Sequence, residues 1–404
     1  MTTLPRDVRI VLTAQALRAF AYGLGAVLLG RTLVSLRLGG WRAGLILGAT
    51  VAGTALASVM VARHGDRFGR RRSYGLMYLL LAMTGTVFAF ASSVWPLALA
   101  GLCGVLSTEV IESGPFTSLE QSMLATDLVG RRRVHGFGIY NAVAALAGSA
   151  GALFAAVPSL LRVVWAQAPS DQRWFLLFVP VSLLGMLMAM RLDARVEAEI
   201  LPKNIAGSTS GLSRSRSRVR RLSGLFALDS FAGGFTVTAF IAYWLTDRFH
   251  ASATVVAITF ALFGLLQTAS FLIAPRLADR FGLLPTMVFT HLPSNILLAA
   301  VAFAPTLPFA IVLLAARATL SQMDVPTRQT YVMALVDPAE RTAAAGYTNT
   351  ARYLTRPLGP PLATAAQSLA PGLPFLISGA IKIAYDLTLW VWFRRVNIPE
   401  DVSS

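Results

Sequence analysis

Several ionisable residues lie inside long apolar stretches of the chain, where an unpaired charge is costly, and eight of them are candidate functional residues. They are Arg18, Glu109, Glu112, Glu120, Asp229, Arg317, Asp324 and Arg328. Charges in apolar surroundings persist when they are paired or face water, so each is a candidate for holding a charged solute or a proton. Glu109 and Glu112 are three positions apart and share a helical face, which suits proton exchange or cation binding. The alternative is that one of the two acids faces a cavity while the other is packed or hydrogen-bonded.

An internal repeat relates several of these charges. Residues 16–23, ALRAFAYG, correspond to residues 227–234, ALDSFAGG, at an offset of 211 (229 − 18). A second set keeps an offset of 208 and matches Gln121, Arg133, Gly138 and Asn141 to Gln329, Arg341, Gly346 and Asn349. By these offsets the opposite charges Arg18 and Asp229, Glu109 and Arg317, and Glu120 and Arg328 occupy equivalent positions. The repeat predicts a duplicated six-helix unit.

The composition requires these charges to be positioned by membrane-spanning helices. Of 404 residues, 55% are hydrophobic and only 13% charged, with a mean hydropathy of +0.63. Apolar runs of about 20 residues have the length that crosses a bilayer as a helix, and no run alternates as a barrel strand does. We predict twelve spans, at residues 8–36, 42–62, 73–92, 95–124, 135–160, 174–192, 222–246, 253–275, 284–304, 307–333, 343–368 and 373–393.

The net charge of +16 is explained by where the arginines lie. They cluster where apolar runs end, at residues 63–72, 131–133, 191–221 and 394–395. This is the bias of loops on the cytoplasmic side of a membrane, and it argues against nucleic acid as a partner. These basic loops share one side of the membrane if both termini are cytoplasmic. The predicted domains are residues 1–192 and residues 222–404, joined by a basic linker at 193–221 rich in Gly, Ser and Arg.

Other polar residues inside the spans have weaker interpretations. His291 stands alone in the ninth span, which favours a hydrogen-bonded core histidine over a metal ligand. Lys382 and Asp386 are four positions apart and are expected to neutralise each other. Arg352 and Arg356 share a face, and they contact an anionic group or the acid Asp66, or else extend to the cytoplasmic headgroups. The cluster Gly359-Pro360-Pro361 should bend or break the eleventh span.

A short polar motif occurs twice between apolar runs. The first copy is Gly65-Asp66-Arg67-Phe68-Gly69-Arg70-Arg71-Arg72, and Ala278-Asp279-Arg280-Phe281-Gly282 follows it by 213 positions (279 − 66). Glycine permits the tight turn, and the arginines mark the cytoplasmic face. The motif resembles the loop signature of the major facilitator superfamily and its copy in the second half, and the resemblance extends over nearly all of the chain. It implies a gating loop that includes Asp66, Arg67, Gly69, Arg70, Asp279, Arg280, Gly282 and Arg352.

The resemblance also implies how the two halves are arranged. It predicts an all-α membrane protein of twelve helices, in which two six-helix bundles surround a cavity lined mainly by spans one, four, seven and ten. On this basis Arg18 and Asp229 face each other, and we expect them to pair when the cavity closes and to separate when it opens. The alternative is a static pair that fixes helix packing.

The function implied is secondary transport by alternating access. The expected solute is a small amphipathic organic molecule, exported in exchange for protons, since acids and bases coexist in the cavity and no ATP-binding Gly-rich loop is present. The residues expected to bind substrate or couple protons are Arg18, Glu109, Glu112, Asp229, Arg317, Asp324, Arg328 and Asn349. The alternatives are uptake or efflux of an organic anion or metal complex held by Arg18, Arg317 and Arg328, and a non-transporting membrane sensor.

The remaining expectations concern partners and location. No nucleophile–base or metal constellation is found, so the sequence predicts neither an enzyme nor a cofactor or metal site. The expected partners are the solute, the proton and the lipid bilayer. We expect a monomer in a bacterial inner membrane with both termini in the cytoplasm.

Overall fold

The computed structural model describes most of the chain. The described residues are 5–103, 105–107, 109, 114–117, 119–120, 123, 131–193, 215–336 and 340–396, with the backbone alone described at 62, 65–67, 131–138, 333, 341–343 and 345. Within these ranges every regular element is a helix. The α-helices are α1 Arg6–Ser35, α2 Trp41–Phe68, α3 Arg70–Phe90, α4 Val94–Leu102, α5 Arg131–Phe154, α6 Val157–Val164, α7 Phe178–Met190, α8 Arg216–Gly234, α9 Thr238–Phe249, α10 Ala253–Phe281, α11 Leu283–Ala300, α12 Leu307–Leu320, α13 Asp324–Leu335, α14 Arg341–Thr355, α15 Gly359–Leu369 and α16 Leu373–Phe393.

Ten stretches of the described chain are helical, long and apolar enough to cross a membrane. They coincide with ten of the twelve predicted spans. The two remaining spans, at 95–124 and 343–368, are not among these ten stretches. In the fourth span the helix ends at Leu102 and residues 105–107 are not helical. In the eleventh, α14 ends at Thr355 and a 3₁₀ turn at Arg356–Leu358 precedes α15.

The break in the eleventh span confirms the prediction made from its prolines. Proline lacks the N–H that continues a helical ladder, and its ring collides with the preceding turn. Pro357 lies inside the 3₁₀ turn, and Pro360 stands in the first turn of α15, where a missing N–H costs nothing. The sequence therefore converts one apolar run into two shorter helices.

The backbone contacts divide the chain into two compact units. The first unit is Met1–Ile200 with Val237–Leu265, and the second is Leu201–Thr236 with Leu266–Ser404. Helix α9 therefore belongs to the first unit although it lies in the second half of the sequence. The predicted domain boundaries at 192 and 222 refer to the duplicated halves of the sequence and not to these compact units. They stay a prediction.

The first unit is built around α1, which is buried along most of its length. Helix α5 packs closely against it because small residues allow the two backbones to approach. A Cβ on Gly151 would overlap the carbonyl oxygen of Phe20, and a Cβ on Gly23 would overlap that of Gly148. Helix α9 also packs on α1, where a Cβ on Gly30 would lie 2.5 Å from the Ala239 oxygen.

The second unit packs α8 against α14 and α16, and α11 against α16. An apolar core lies where α8, α11, α13 and α16 meet, formed by large side chains such as Phe226, Met287, Tyr331 and Phe393. Burial of such side chains from four helices fixes the helices relative to one another. This core is adjacent in sequence to the charged residues considered below, because Phe226 lies one turn before Asp229.

The two copies of the polar motif form the same turn. Gly69 joins α2 to α3 with φ 97°, and Gly282 joins α10 to α11 with φ 88°. These backbone angles are strained for any residue with a Cβ, so the glycine of each copy is required by the turn. The structure thus confirms a repeated tight turn at both positions.

Candidate functional site

The first unit holds a buried ion pair, which we call the first cluster: Arg18, Glu120, Tyr74 and Tyr140. Arg18 donates from Nε to Glu120 Oε1 at 3.2 Å and from Nη2 to Oε2 at 2.6 Å. Tyr74 donates its hydroxyl to Oε1 at 2.7 Å, and Tyr140 donates to Oε2 at 2.6 Å. All four side chains are excluded from solvent. The carboxylate of Glu120 therefore accepts four hydrogen bonds, about the number its lone pairs allow.

The second unit holds a larger group of buried polar side chains. This second cluster consists of Asp229, His291, Asn295, Asp324, Arg328, Lys382 and Asp386. Five of its members are contributed by α8, α13 and α16, and the other two by α11. Lys382 Nζ donates to Asp229 Oδ1 at 2.5 Å. Arg328 donates from Nη1 to Asp324 Oδ2 at 2.7 Å, and the same nitrogen lies 3.8 Å from Asp229 Oδ2.

His291 occupies the centre of the second cluster. Its Nδ1 lies 2.8 Å from Asp386 Oδ1 and 3.0 Å from Asn295 Nδ2. Asn295 also donates from Nδ2 to Asp386 Oδ2 at 2.8 Å. The other ring nitrogen, Nε2, is 4.0 Å from Asp229 Oδ1, the oxygen that Lys382 holds. The imidazole thus lies between two carboxylates that are contributed by different helices.

The repeat predicted from the sequence relates the two clusters. Arg18 and Asp229 occupy equivalent positions of the repeat, and so do Glu120 and Arg328. Arg18 pairs with Glu120 in the first unit, and Asp229 lies within ion-pair distance of Arg328 in the second. The signs are exchanged between the units. In this structure Arg18 and Asp229 each have an ion-pair partner inside their own unit. The expected state-dependent pairing of Arg18 with Asp229 stays a prediction.

Two sequence interpretations are changed by the tertiary contacts. Lys382 was expected to neutralise Asp386 one turn away, but it bonds Asp229, which is 153 positions distant. Asp386 is bonded by His291 and Asn295 instead. His291 is indeed buried and hydrogen-bonded, yet it is a member of a charged cluster and not an isolated core residue. The signal that could have found it is the presence of the cluster's five other ionisable residues at membrane depth in the same half.

The remaining candidates for substrate binding lie outside both clusters. Glu109 and Arg317 are half-buried, and Asn349 on α14 is exposed. The Ser107 hydroxyl lies 2.9 Å from the Glu109 backbone oxygen and 3.1 Å from its backbone nitrogen. Glu112 lies outside the described residues. Asp324, in contrast, is buried and belongs to the second cluster through its bond to Arg328.

The predicted gating residues are placed by the two glycine turns. Asp66 and Arg67 lie in the last turn of α2, and their side chains are outside the described part of the chain. Arg70 begins α3, and Asp279 and Arg280 are exposed at the end of α10, before Gly282. Arg352 is half-buried in α14, where its backbone oxygen accepts a hydrogen bond from the Ser230 hydroxyl at 2.9 Å.

The two clusters differ in how readily they can exchange a proton. The first cluster is a saturated ion pair, in which protonation of Glu120 would sacrifice acceptor positions that buried donors need. The second cluster contains a histidine, the side chain whose charge changes most readily near neutral pH. Buried charges in apolar spanning helices are retained where they face a pathway or one another. This arrangement defines a polytopic membrane protein suited to moving solutes.

Comparison with known proteins identifies the class. The sequence profile of the Major Facilitator Superfamily matches residues 11–360 and 222–404. The chain therefore belongs to the major facilitator superfamily of secondary transporters. The uncharacterized membrane protein YJR124C of Saccharomyces cerevisiae is 25% identical over 429 residues, covering 97% of this chain and 95% of that protein.

The fold is similar to solved transporters. The crystal structure of the nucleoside transporter NupG superposes with a TM-score of 0.70 at 14% identity, covering 96% of this chain and all of that chain. The crystal structure of a D-xylose-proton symporter gives a TM-score of 0.67 at 14% identity, covering 98% of this chain and 99% of that chain. At this identity the likeness establishes the fold of this chain.

Proposed function

We propose that this protein exports a small amphipathic organic solute in exchange for protons. The observation that carries the proposal is the second cluster, in which three carboxylates, one guanidinium, one lysine amine and one histidine are buried together. Coupling requires a group that can gain and lose a proton inside the membrane without leaving the protein. A cluster whose net charge changes by one with the state of one histidine meets that requirement.

A purely structural role accounts less well for this cluster. Burying ions costs several kcal/mol per ion, and apolar side chains of similar volume often stabilise a protein as well or better. The second cluster nevertheless buries seven polar side chains where four helices meet. The similarity of the fold to a D-xylose-proton symporter, a protein whose name includes the proton, is consistent with proton coupling here.

The solute class is proposed from the polar and aromatic residues of the helices that carry the clusters. Phe231 and Phe235 make an edge-to-face pair on α8, with ring centroids 5.3 Å apart, and Phe20 pairs with Phe154 in the first unit at 5.5 Å. Such rings bind the apolar part of an amphipathic molecule. Arg18 and Arg328 already hold carboxylates, which argues against the second candidate, an organic anion bound by these arginines.

The test is flux in liposomes that contain the purified protein. Ethidium serves as an amphipathic cation and radiolabelled p-aminohippurate as an organic anion, each with a pH gradient imposed in either direction. We expect ethidium to accumulate in the acidic compartment and the accumulation to vanish when an ionophore dissipates the gradient. Accumulation of p-aminohippurate alone would favour the anion candidate, and flux indifferent to the gradient would contradict proton coupling.

A matched pair of variants connects this flux to the cluster. Asp229→Asn removes one charge of the second cluster while keeping the size of the side chain. Asp247→Asn makes the same change at an exposed position on α9. We expect the first variant to lose gradient-driven flux and the second to keep it, with both proteins showing unchanged helical content. Undiminished flux in Asp229→Asn would remove this residue from the coupling site.

The location and the gating loop belong to the same proposal. Both termini are placed in the cytoplasm of a bacterial cell because the basic loops would then share one side. The turns at Gly69 and Gly282, with Asp66, Arg67, Arg70, Asp279, Arg280 and Arg352 nearby, would latch one access state. A reporter enzyme active only outside the cytoplasm, fused after residue 404, should be inactive, and activity would reverse the orientation.

A further inference from the structure

The second cluster carries an unbalanced charge that one proton would neutralise. Asp229, Asp324 and Asp386 contribute three negative charges, and Arg328 and Lys382 contribute two positive charges. With His291 neutral the cluster therefore bears one excess negative charge, and with His291 protonated it bears none. Because an uncompensated charge is costly in a buried site, the cluster attracts a proton.

The contacts of His291 Nδ1 show where that proton is held. The same nitrogen lies within hydrogen-bond distance of an acceptor, Asp386 Oδ1, and of a donor, Asn295 Nδ2. A nitrogen that carries a proton donates to Asp386, whereas one without a proton accepts from Asn295. The site therefore offers a satisfied partner to either form of the nitrogen, and the proton can move between the imidazole and the Asp386 carboxylate.

The opposite ring nitrogen connects this proton to the rest of the cluster. Nε2 lies 4.0 Å from Asp229 Oδ1, which Lys382 holds at 2.5 Å. A proton on Nε2 attracts the oxygen that Lys382 binds, so the two cations compete for one carboxylate oxygen. Gain or loss of the proton therefore changes how firmly α16, which bears Lys382, is bound to α8, which bears Asp229.

The first unit shows what the same architecture does without a histidine. At the offset of the loop motif, 213, the residue equivalent to His291 is Tyr78 (291 − 78). Its hydroxyl donates to the Ala14 carbonyl at 2.9 Å. A phenol keeps its proton at neutral pH, and the nearby Glu120 is saturated by four donors. Only the second of these two equivalent clusters has a group that exchanges protons readily.

We propose that His291, with Asp386 and Asn295, is the proton-binding site of this transporter and that its proton controls the Lys382–Asp229 bond. The proposal rests on the proposed function for its role in transport, but proton binding itself is independent of the solute. Further charged or titratable groups on the helices packed around His291 include Asp324 and Arg328 on α13, Tyr385 on α16 and the half-buried Arg317 on α12.

Proton binding can be measured directly on the full-length protein. The chain has four histidines, so the variant His64→Gln/His135→Gln/His250→Asn leaves His291 as the only one. With ¹⁵N-labelled histidine in detergent micelles, its ring signals should change from the imidazolium to the neutral pattern within roughly pH 5–9. Signals that stay in one form across this range would overturn the proposal.

Two substitutions in that background should move the transition in opposite directions. Asp386→Asn removes the carboxylate that holds the imidazolium, so the midpoint should fall by about one pH unit or more. Lys382→Met removes a competing cation, so the midpoint should rise. Asp247→Asn is the control and should leave it unchanged. A midpoint that is unchanged by both cluster substitutions contradicts the site. A general loss of folding would not shift the midpoint in opposite directions in the two variants.

A flux experiment then separates this inference from the proposed function. In liposomes that accumulate ethidium under a pH gradient, His291→Gln should abolish this accumulation, whereas the control Asp247→Asn should keep it. Accumulation that persists in His291→Gln overturns the inference and leaves the proposed function standing. If the unaltered protein shows no gradient-driven flux, the proposed function fails, and the titration alone still decides whether His291 binds the proton.

Discussion

At the scale of single residues, the two clusters differ in how completely their charges are satisfied. Glu120 has four donors, and its arginine contacts it through two nitrogens. Paired guanidinium–carboxylate contacts of this kind are strong and geometrically restrictive. The first cluster therefore fixes α1 to the segment that carries Glu120, and substitutions in it should lower the free energy of unfolding.

The effects on stability of removing Arg18 and of removing Glu120 should depend on each other. Arg18→Met or Glu120→Leu alone leaves a buried charge and should lower the free energy of unfolding by about 3–5 kcal/mol. The double variant should lose less than the sum of the two single losses, as measured by denaturant unfolding in detergent. Arg9→Met on the exposed face of α1 is the control. Additive losses would mean that the two charges do not depend on each other.

The tyrosines of the first cluster should also contribute measurably to the free energy of unfolding. Tyr140→Phe removes one hydrogen bond to a charged acceptor, which typically contributes about 1.5–3 kcal/mol. Tyr347→Phe, at an exposed position on α14, makes the same change where no such loss is expected. The midpoint of thermal unfolding should therefore be lower for Tyr140→Phe than for Tyr347→Phe. Equal midpoints would show that Glu120 does not need the fourth donor.

At the scale of helices, close approach through small residues decides which polar side chains can meet. Helices α1 and α5 are in contact at Gly151 and Gly23, which brings Tyr140 beside Arg18 and Gln15. In the second unit Gly234 and Gly359 approach each other where α8 passes the broken span. Without a hydrophobic force between helices in lipid, such packing is a main source of association.

Enlarging Gly151 should therefore separate α1 from α5. The added methyl of Gly151→Ala overlaps the Phe20 carbonyl oxygen, so the backbone must shift at a cost of about 1–3 kcal/mol. Gly224→Ala on α8 meets nothing within 4 Å and should be neutral or stabilising by up to about 1 kcal/mol. Unfolding of both variants in detergent provides the comparison. Equal stability would contradict close packing at Gly151.

At the scale of the whole molecule, the first unit is assembled from both halves of the sequence. Helix α9, at residues 238–249, belongs with α1 and approaches it at Gly30. The basic stretch 203–214 lies outside the described residues. The contact between α9 and α1 is made by residues outside that stretch, so it should not depend on covalent continuity there.

Cutting the chain in this stretch should leave the first unit intact. A protease site placed after Gly207 should be cleaved in detergent, and the two fragments should still co-purify because α9 remains packed on α1. In the cleaved protein Gly30→Leu should release the fragments, since a Cβ there lies 2.5 Å from the Ala239 oxygen. Gly224→Leu is the control. Fragments that separate without any substitution would refute the assembly.

The sequence was sufficient to predict the class of fold and its duplication. Apolar length indicated the spans, and two glycines at an offset of 213 indicated the turns that the structure contains. Proline chemistry indicated the break in the eleventh span. These features depend on local backbone preferences and on the distribution of apolar residues, which can be read along the chain.

The partners of the buried charges depended on the tertiary structure. Arg18 and Glu120 are 102 positions apart, and Lys382 bonds Asp229 across 153 positions in place of its near neighbour Asp386. A hydrogen bond requires atoms within about 3 Å, and only the packing of several helices brings distant side chains to that separation. The amino-acid sequence by itself determined that charged residues would lie within apolar membrane-spanning helices. The tertiary structure decided that Arg18 and Asp229 have ion-pair partners within their own units and that His291 lies between two carboxylates.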